Sequence, residues 1–196
     1  MKLISRNNCP ICETTTISSI YKLSYQDLRI KNFLKIYYKD RLPLNLLNEY
    51  NYELLECNNC KFIFQKFIPD ENFAEELYEK YISPEESLEK KISNIENLKK
   101  QYHNEINLIK KIFEDKEINI LEFGAGWGFW SIEARKFGFN VSCLELSKKR
   151  VDYMKSKDLK VINSIENNSE KYDLIYSDQT FEHINNPKET LDLLNR

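Results

Sequence analysis

Four of the five cysteines fall in two C-x-x-C pairs, Cys9-Pro10-Ile11-Cys12 and Cys57-Asn58-Asn59-Cys60. A C-x-x-C turn aims two thiolates at one point, because its tight backbone leaves N–H groups facing sulfur. Two such turns supply the four soft ligands of a tetrahedral structural zinc, so Cys9, Cys12, Cys57 and Cys60 are candidate metal ligands. Asn58-Asn59 suits the tight turn of the second pair. Two disulfides, or four unremarkable thiols, are the alternatives. Met1 to Ile11 has no apolar leader segment, which disfavours disulfides and points to the cytoplasm. A redox C-x-x-C would not need a second copy. The separation of the pairs is longer than common ribbon spacing, whereas size argues for the metal. Residues 1–69 form a unit too small to be held by core burial alone, and a structural zinc contributes roughly 10–16 kcal/mol of apparent binding energy.

Glycine carries the second signal. The chain has only four, all between Gly124 and Gly138, and three stand in Gly124-Ala125-Gly126-Trp127-Gly128; average usage would give about fourteen. The elements around this run position it. Ile118–Phe123 reads as a buried parallel strand, Phe129–Phe137 as a helix stopped by Gly138, and Asn140–Glu145 as a second strand ending in an acid. Glycines let such a turn tighten and let a ligand approach the backbone. The helix N-terminus offers free N–H groups, and Glu145 is placed to accept both hydroxyls of a ribose. A nucleoside-containing cofactor is therefore expected, against a purely structural tight turn. The dinucleotide fingerprint G-x-G-x-x-G is not met, because its third glycine would fall at Phe129. Glu122, just before the first glycine, suits a ligand bearing an amino group and a sulfonium cation better than a pyrophosphate.

Leu121-Glu122-Phe123-Gly124-Ala125-Gly126-Trp127-Gly128 resembles the first motif of class I S-adenosylmethionine-dependent methyltransferases. Leu144-Glu145-Leu146-Ser147 is similar to the second-strand motif of that family. Tyr172–Asp178, continuing through Glu182-His183-Ile184 to Pro187, resembles its fourth-strand motif. Cys57–Tyr81 looks like the cysteine-pair region, thought to bind zinc, that precedes the methyltransferase domain in some sugar methyltransferases of surface-polysaccharide and antibiotic pathways. The resemblance implies an α/β fold: a Rossmann-like domain over 118–196 with about four strands, a zinc-ribbon-like domain over 1–69, and connecting helices over 70–117. It implies S-adenosylmethionine and zinc as cofactors and methyl transfer to a small-molecule acceptor, a sugar nucleotide among the candidates. Carried over by position, Gly124, Ala125, Gly126 and Gly128 surround the cofactor and Glu122 lies near its amino group. Glu145 holds the ribose, Leu146 lies beside the adenine, and Asp178 stands at the mouth of the site. His183 is the candidate general base, with bracing of its own loop as the other reading. Near the third strand there is no clean match, and Ser164 and Ile165 stand closest. The family sheet has seven strands; with four placed, the chain reads as C-terminally truncated.

Tyr52–Cys57 and Lys61–Phe67 have the character of a ribbon hairpin, in which Phe62, Phe64 and Phe67 pack. Asp70 is placed to cap a helix over 71–81, and Ser83-Pro84 opens another. Ile92, Ile95, Leu98, Tyr102, Ile106, Ile109 and Phe113 form one helical face beside which His103 reads as a surface residue. Tyr78 and Tyr81 read as helix packing, or as a cover over the cofactor. Lys and Arg number 29 and Asp and Glu 31, for a net charge of −2. That balance disfavours a nucleic-acid partner. No apolar run reaches the roughly 20 residues that span a bilayer, so no membrane partner is expected. Two other classes remain: a non-catalytic cofactor- or partner-binding fragment, and a nicotinamide-dependent oxidoreductase.

Overall fold

A computed structural model describes residues 3–195, with the side chains of Tyr78 and Glu79 outside the described set; the reading of Tyr78 falls there. Contacts divide the chain into two compact units. One comprises residues up to Pro84 together with Asn185–Thr190, the other Glu85–Ile184 and the residues from Leu191 onward.

The first unit begins with β1 (Leu3–Ser5), β2 (Ile17–Ser24), α1 (Leu28–Tyr38) and a 3₁₀ turn over Leu44–Leu47. Then follow β3 (Asn51–Cys57), β4 (Ile63–Gln65), β5 (Phe67–Pro69), α2 (Glu71–Glu76) and a π-helical turn over Leu77–Tyr81. The ribbon hairpin is present as β3 against β4, antiparallel with Leu55 opposite Phe64. β2 pairs with the other edge of β3 to complete a three-stranded sheet, and β1 pairs with β5. β3 alternates as a half-buried strand does, turning Glu53, Leu55 and Cys57 inward. Buried Glu53 is balanced by Lys66 at 3.3 Å and Lys22 at 3.9 Å. Phe64 is buried, with Phe62 stacked on it at 6.3 Å. Asp70 caps α2 by accepting from the Phe73 N–H at 2.8 Å. The helix expected to continue evenly to Tyr81 instead widens into the π turn. Tyr81 packs against the cluster of Leu3, Tyr25, Leu42, Leu47 and Phe73.

The second unit comprises α3 (Pro84–Ser93), α4 (Ile95–Ile112), β6 (Asn119–Phe123), α5 (Phe129–Lys136) and β7 (Asn140–Leu144). α6 (Lys148–Lys155), β8 (Lys160–Ile162), β9 (Leu174–Tyr176), a 3₁₀ turn over Phe181–His183 and α7 (Pro187–Leu194) follow, the first half of α7 being counted with the first unit. All strand pairs are parallel, in the order β8-β7-β6-β9. This is an α/β Rossmann-like arrangement, with β6 central and its neighbours reached in opposite directions. The apolar stripe of α4 delivers Tyr102, Ile106 and Ile109 to a core with Ile118, Ile120, Trp130, Ala134, Phe139 and Val141. One continuous helical face was expected from Ile92 onward, but the helix breaks at Asn94, whose side-chain oxygen accepts from Asn97 at 2.7 Å. Asn94 leaves the helical backbone at φ −105° and ψ 14°, which turns the two helices apart, and Ile92 is left exposed. No helix among the described residues is long and apolar enough to cross a membrane.

His103 does more than face solvent. Its Nε2 lies 3.0 Å from Glu133 on α5, and its ring lies 4.9 Å from Phe137. Glu133 is 7% exposed and also accepts from Lys136 at 2.7 Å. Burial alone would raise this carboxyl, but the bonds from Lys136 and His103 outweigh it and hold it below the usual range. A depressed carboxylate contributes stability above its unfolded pKa and loses it as pH falls through the folded one. Glu133→Gln is expected to lower unfolding free energy by about 1–2 kcal/mol near neutral pH, because it trades charge-assisted bonds for neutral ones. Urea titrations at about pH 7 and about pH 3 should show that deficit closing in acid, where the native carboxyl is neutral too.

Candidate functional site

The run Gly124–Gly128 leaves the carboxyl end of β6 and turns into α5. Its three glycines all have positive φ, at 76°, 57° and 69°. The turn is fastened to β7 by the N–H groups of Gly124 and Ala125, which donate to the Leu144 carbonyl at 3.0 and 2.9 Å. It closes on itself where the Gly128 N–H meets the Ala125 carbonyl at 2.8 Å. A Cβ at Gly124 would stand 2.2 Å from Thr180 Oγ1, and one at Gly128 would stand 2.5 Å from Leu159 Cδ1. These two glycines are demanded by the protein's own packing as much as by any ligand. Gly126 differs, since a Cβ there would meet nothing within 4 Å. It is the position where the backbone faces open space, and where something outside the chain could approach. Ala125 has no polar group to spare. Its side chain is buried with Cys143, Met154 and Leu159, and both backbone groups are bonded, so its part is to shape the turn.

Glu145 ends β7 directly across from this opening. Its Oε2 accepts from the Gly126 N–H at 2.9 Å, and its Oε1 accepts from the N–H groups of Leu146 and Ser147, both at 2.9 Å. Arg150, on α6, lies 3.5 Å from Oε2 and covers the face of Trp127 at 5.8 Å. Trp127 in turn donates to Ser87 Oγ at 3.3 Å. A carboxylate aimed by three backbone donors presents a fixed pair of acceptor oxygens at the strand end. Leu146, beside it, is 89% exposed.

Glu122 lies beneath the turn. It is buried, accepts a short hydrogen bond from the Ser131 hydroxyl, and that hydroxyl in turn takes the Cys143 S–H at 3.1 Å. Burial pushes the carboxyl up to about 8, with Asp178 adding to the shift and Lys91 opposing it. The same crowding of acids raises the hydroxyls nearby. Burial, then Glu122, Asp178 and Glu105, push Tyr102 up to about 12. Tyr176 moves upward through burial and through its 2.8 Å hydrogen bond to Glu105. Asp178 itself is exposed, just beyond β9. The end of β9 is fastened to that of β6 by Ser177 Oγ, which donates to the Phe123 carbonyl at 3.0 Å. His183 stands exposed on the 3₁₀ turn, its Nε2 3.8 Å from Glu182, while Phe181 of that turn packs on Phe123 at 5.5 Å.

The structure thus gathers Gly126, Glu122, Glu145 and Asp178 around the carboxyl ends of β6, β7 and β9. Open α/β sheets bind ligands in this place, where the strand order reverses. Sequence reasoning missed Arg150, Ser131 and Thr180. Arg150 had a faint signal, a basic residue one helical turn beyond an acid-ended strand. Ser131 and Thr180 had none, since a lone hydroxyl on a helix or loop has no spacing to read.

The four paired cysteines also converge, in the first unit. Their sulfur atoms all lie within 4.8 Å of one another, with Cys9–Cys60 at 3.6 Å and Cys12–Cys57 at 3.4 Å. The two turns repeat the same backbone. Cys9 and Cys57 donate to the carbonyls of Thr14 and Phe62, while Glu13 and Lys61 donate back to those of Cys9 and Cys57, all at 2.9 Å. Glu13 and Lys61 both sit at φ 62°. The Cys60 N–H faces the Cys57 sulfur at 3.4 Å. No disulfide joins them; all five cysteines are free. Ligands about 2.3 Å from a tetrahedral zinc would stand about 3.8 Å apart, and bonded sulfurs about 2 Å. The observed spacing fits four thiolates around a metal.

A family model described as a methyltransferase domain matches residues 95–196. Among solved structures, a protein proposed to be an RNA methyltransferase, from Pyrococcus horikoshii, is similar at 22% identity with a TM-score of 0.37. The match covers 46% of this chain and 50% of that one, so the chain spans about half the length of that protein. No curated protein matches.

Proposed function

The chain belongs to the methyltransferase-domain family, and from that premise we propose that it transfers a methyl group from S-adenosylmethionine to a small-molecule acceptor. One observation carries the reading: a glycine turn open at Gly126, with the Glu145 carboxylate held across it and the acids Glu122 and Asp178 close by. The cofactor would supply a methyl group already activated on a sulfonium, ready for in-line displacement. The chain's part is binding, orientation and exclusion of water. Glu145 would accept the ribose hydroxyls, and Arg150 would keep that carboxylate in place. Leu146 offers an exposed apolar surface for the adenine. Asp178 places a carboxylate at the mouth of the site, and buried Glu122 would ionise as a cationic ligand settles over it, which suits a ligand carrying ammonium and sulfonium charges. His183 would serve as general base for acceptors that need one. A sugar nucleotide is the acceptor class we favour, because Cys57–Tyr81 resembles the cysteine-pair region of sugar methyltransferases.

The four cysteines would hold a structural zinc, which would supply folding energy to the first unit and leave the chemistry to the second. Free thiols in this cluster suit the reducing cytoplasm.

Calorimetric titration with S-adenosylhomocysteine, with NADH as the parallel ligand, tests the cofactor. Binding of the former alone is expected. Glu145→Ala should weaken it by about tenfold to a hundredfold, the worth of a charged group's hydrogen bonds to a ligand. Binding of NADH alone, or of neither by the folded chain, refutes the reading.

A further inference from the structure

Helix α1 of the first unit is apolar on two faces, and the protein covers only one of them. Ile30, Leu34 and Tyr38 pack against the cluster of Leu3, Tyr25, Leu42, Leu47 and Phe73. Around the rest of the helix Leu28 is 74% exposed, Phe33 61%, Ile36 79% and Tyr37 55%. Four large apolar side chains left in water on an 11-residue helix call for a cover.

Charge indicates what kind. Between Ile17 and Arg41 there are six basic residues against two acidic ones, in a chain whose net charge is −2; Lys22 is engaged by Glu53 and Arg29 by Asp27. One of those acids, Asp27, is spent on capping α1 and gripping the Arg29 guanidinium at 2.9 Å. Lys31 and Lys35 have no acidic partner among the described residues. The helix therefore interleaves protruding aliphatic and aromatic groups with ammonium groups on flexible stems. We propose that α1 lies flat on an anionic lipid surface, with Leu28, Phe33, Ile36 and Tyr37 inserted among the acyl chains and Lys31 and Lys35 reaching the headgroups.

Each element of that arrangement has a physical basis. An interfacial helix buries its apolar face about 5–10 Å deep and draws about 1 kcal/mol from each lysine near an anionic surface. Lysine stems can lie along apolar surface while their heads stay in water. Length excludes crossing: 11 residues are about half of what a spanning helix needs. A single-stranded nucleic acid fits less well. The groups that protrude furthest, Leu28 and Ile36, are aliphatic, and the rings of Phe33 and Tyr37 are already stacked on each other at 5.8 Å. A second copy of the chain fits less well too, since a two-fold contact through this face would set its lysines against their own images.

The experiment is vesicle flotation of the full zinc-loaded chain. The vesicles are phosphatidylcholine alone, and phosphatidylcholine mixed with phosphatidylglycerol. The protein is expected to float only with the anionic vesicles, and less as salt is raised. The double change Phe33→Ser and Ile36→Ser should reduce partitioning by at least about tenfold, since burial of one such side chain is worth about that much. Lys31→Gln with Lys35→Gln should weaken flotation and flatten its salt dependence. All four positions are outside the core and outside the candidate site, so circular dichroism and S-adenosylhomocysteine titration should be unchanged. Failure of the wild-type chain to float overturns the proposal, as does flotation that survives the apolar double change. Self-association, or capture of an oligonucleotide without flotation, overturns it in favour of a protein or nucleic-acid occupant.

Discussion

Stripping the zinc proposed for the four cysteines with a strong chelator, or replacing Cys57 with serine, is expected to unfold the two cysteine turns and the β2–β3–β4 sheet that carries them, while leaving the second unit folded. Cys9 and Cys57 are buried, and among the described residues the cluster around them holds two other buried side chains, Leu55 and Phe64, with Ile11, Cys12 and Ile17 partly buried against them. So little apolar surface cannot offset the backbone entropy of ordering both cysteine turns and the strands that carry them. A structural zinc contributes roughly 10–16 kcal/mol of apparent binding energy, which matches or exceeds the whole stability of an ordinary domain. Without it, four thiols would crowd within 4.8 Å with no common partner. Limited proteolysis read by mass spectrometry should show cuts between Ile17 and Phe67 in the chelated protein, with the segment from β6 to α6 protected. Elemental analysis should find one zinc per chain. Absence of bound zinc together with a melting curve indifferent to chelator would sink the idea.

The second large effect is at Glu122, where Glu122→Gln should stabilise the protein, and only toward alkaline pH. Burial raises this carboxyl from an ordinary 4.5 to about 8. Below the ordinary value both folded and unfolded chains are protonated there, and the site is neutral in its effect. Between the two values the folded chain keeps a proton that the unfolded chain has released. The slope of stability with pH is then negative, and the loss is complete once pH passes the folded value. Glutamine keeps the polar contact to Ser131 and has no charge to bury. The variant should therefore match wild type at about pH 4 and exceed it by a few kcal/mol, in order of magnitude, at about pH 8.5. Ligand binding should move the opposite way. A cationic ligand favours ionised Glu122, so wild-type affinity should climb as pH rises toward 8, and the glutamine variant should bind more weakly with a flat profile. Equal pH profiles for the two proteins, in melting and in titration, would show that Glu122 is ionised in the free protein.

Much of the second unit was legible because its signals are local. An apolar run, three glycines and an acid-ended strand each declare themselves within a few residues, and β6, α5 and β7 fall within a residue or two of where they were expected. The cysteine pairs were legible for the same reason. What escaped depends on partners distant in the chain. β2 is a strand because β3 lends it hydrogen bonds, and its own residues are almost all exposed, so no burial pattern marks it. His103 looked like surface until Glu133, thirty residues on, was placed against it. The glycines were read as making room for a ligand, and Gly124 and Gly128 also make room for Thr180 and Leu159. A spacing motif shows that space is needed and is silent on what fills it.

The seat of Thr180 against Gly124 ties together two segments more than fifty residues apart. Its methyl and hydroxyl fill the hollow a missing Cβ leaves, so the turn and the loop after β9 mesh like a tooth in a notch. A side chain at position 124 would therefore push Thr180 out of its seat, and the loop that carries Phe181 and His183 is held against β6 by that seat and by the Phe123–Phe181 contact.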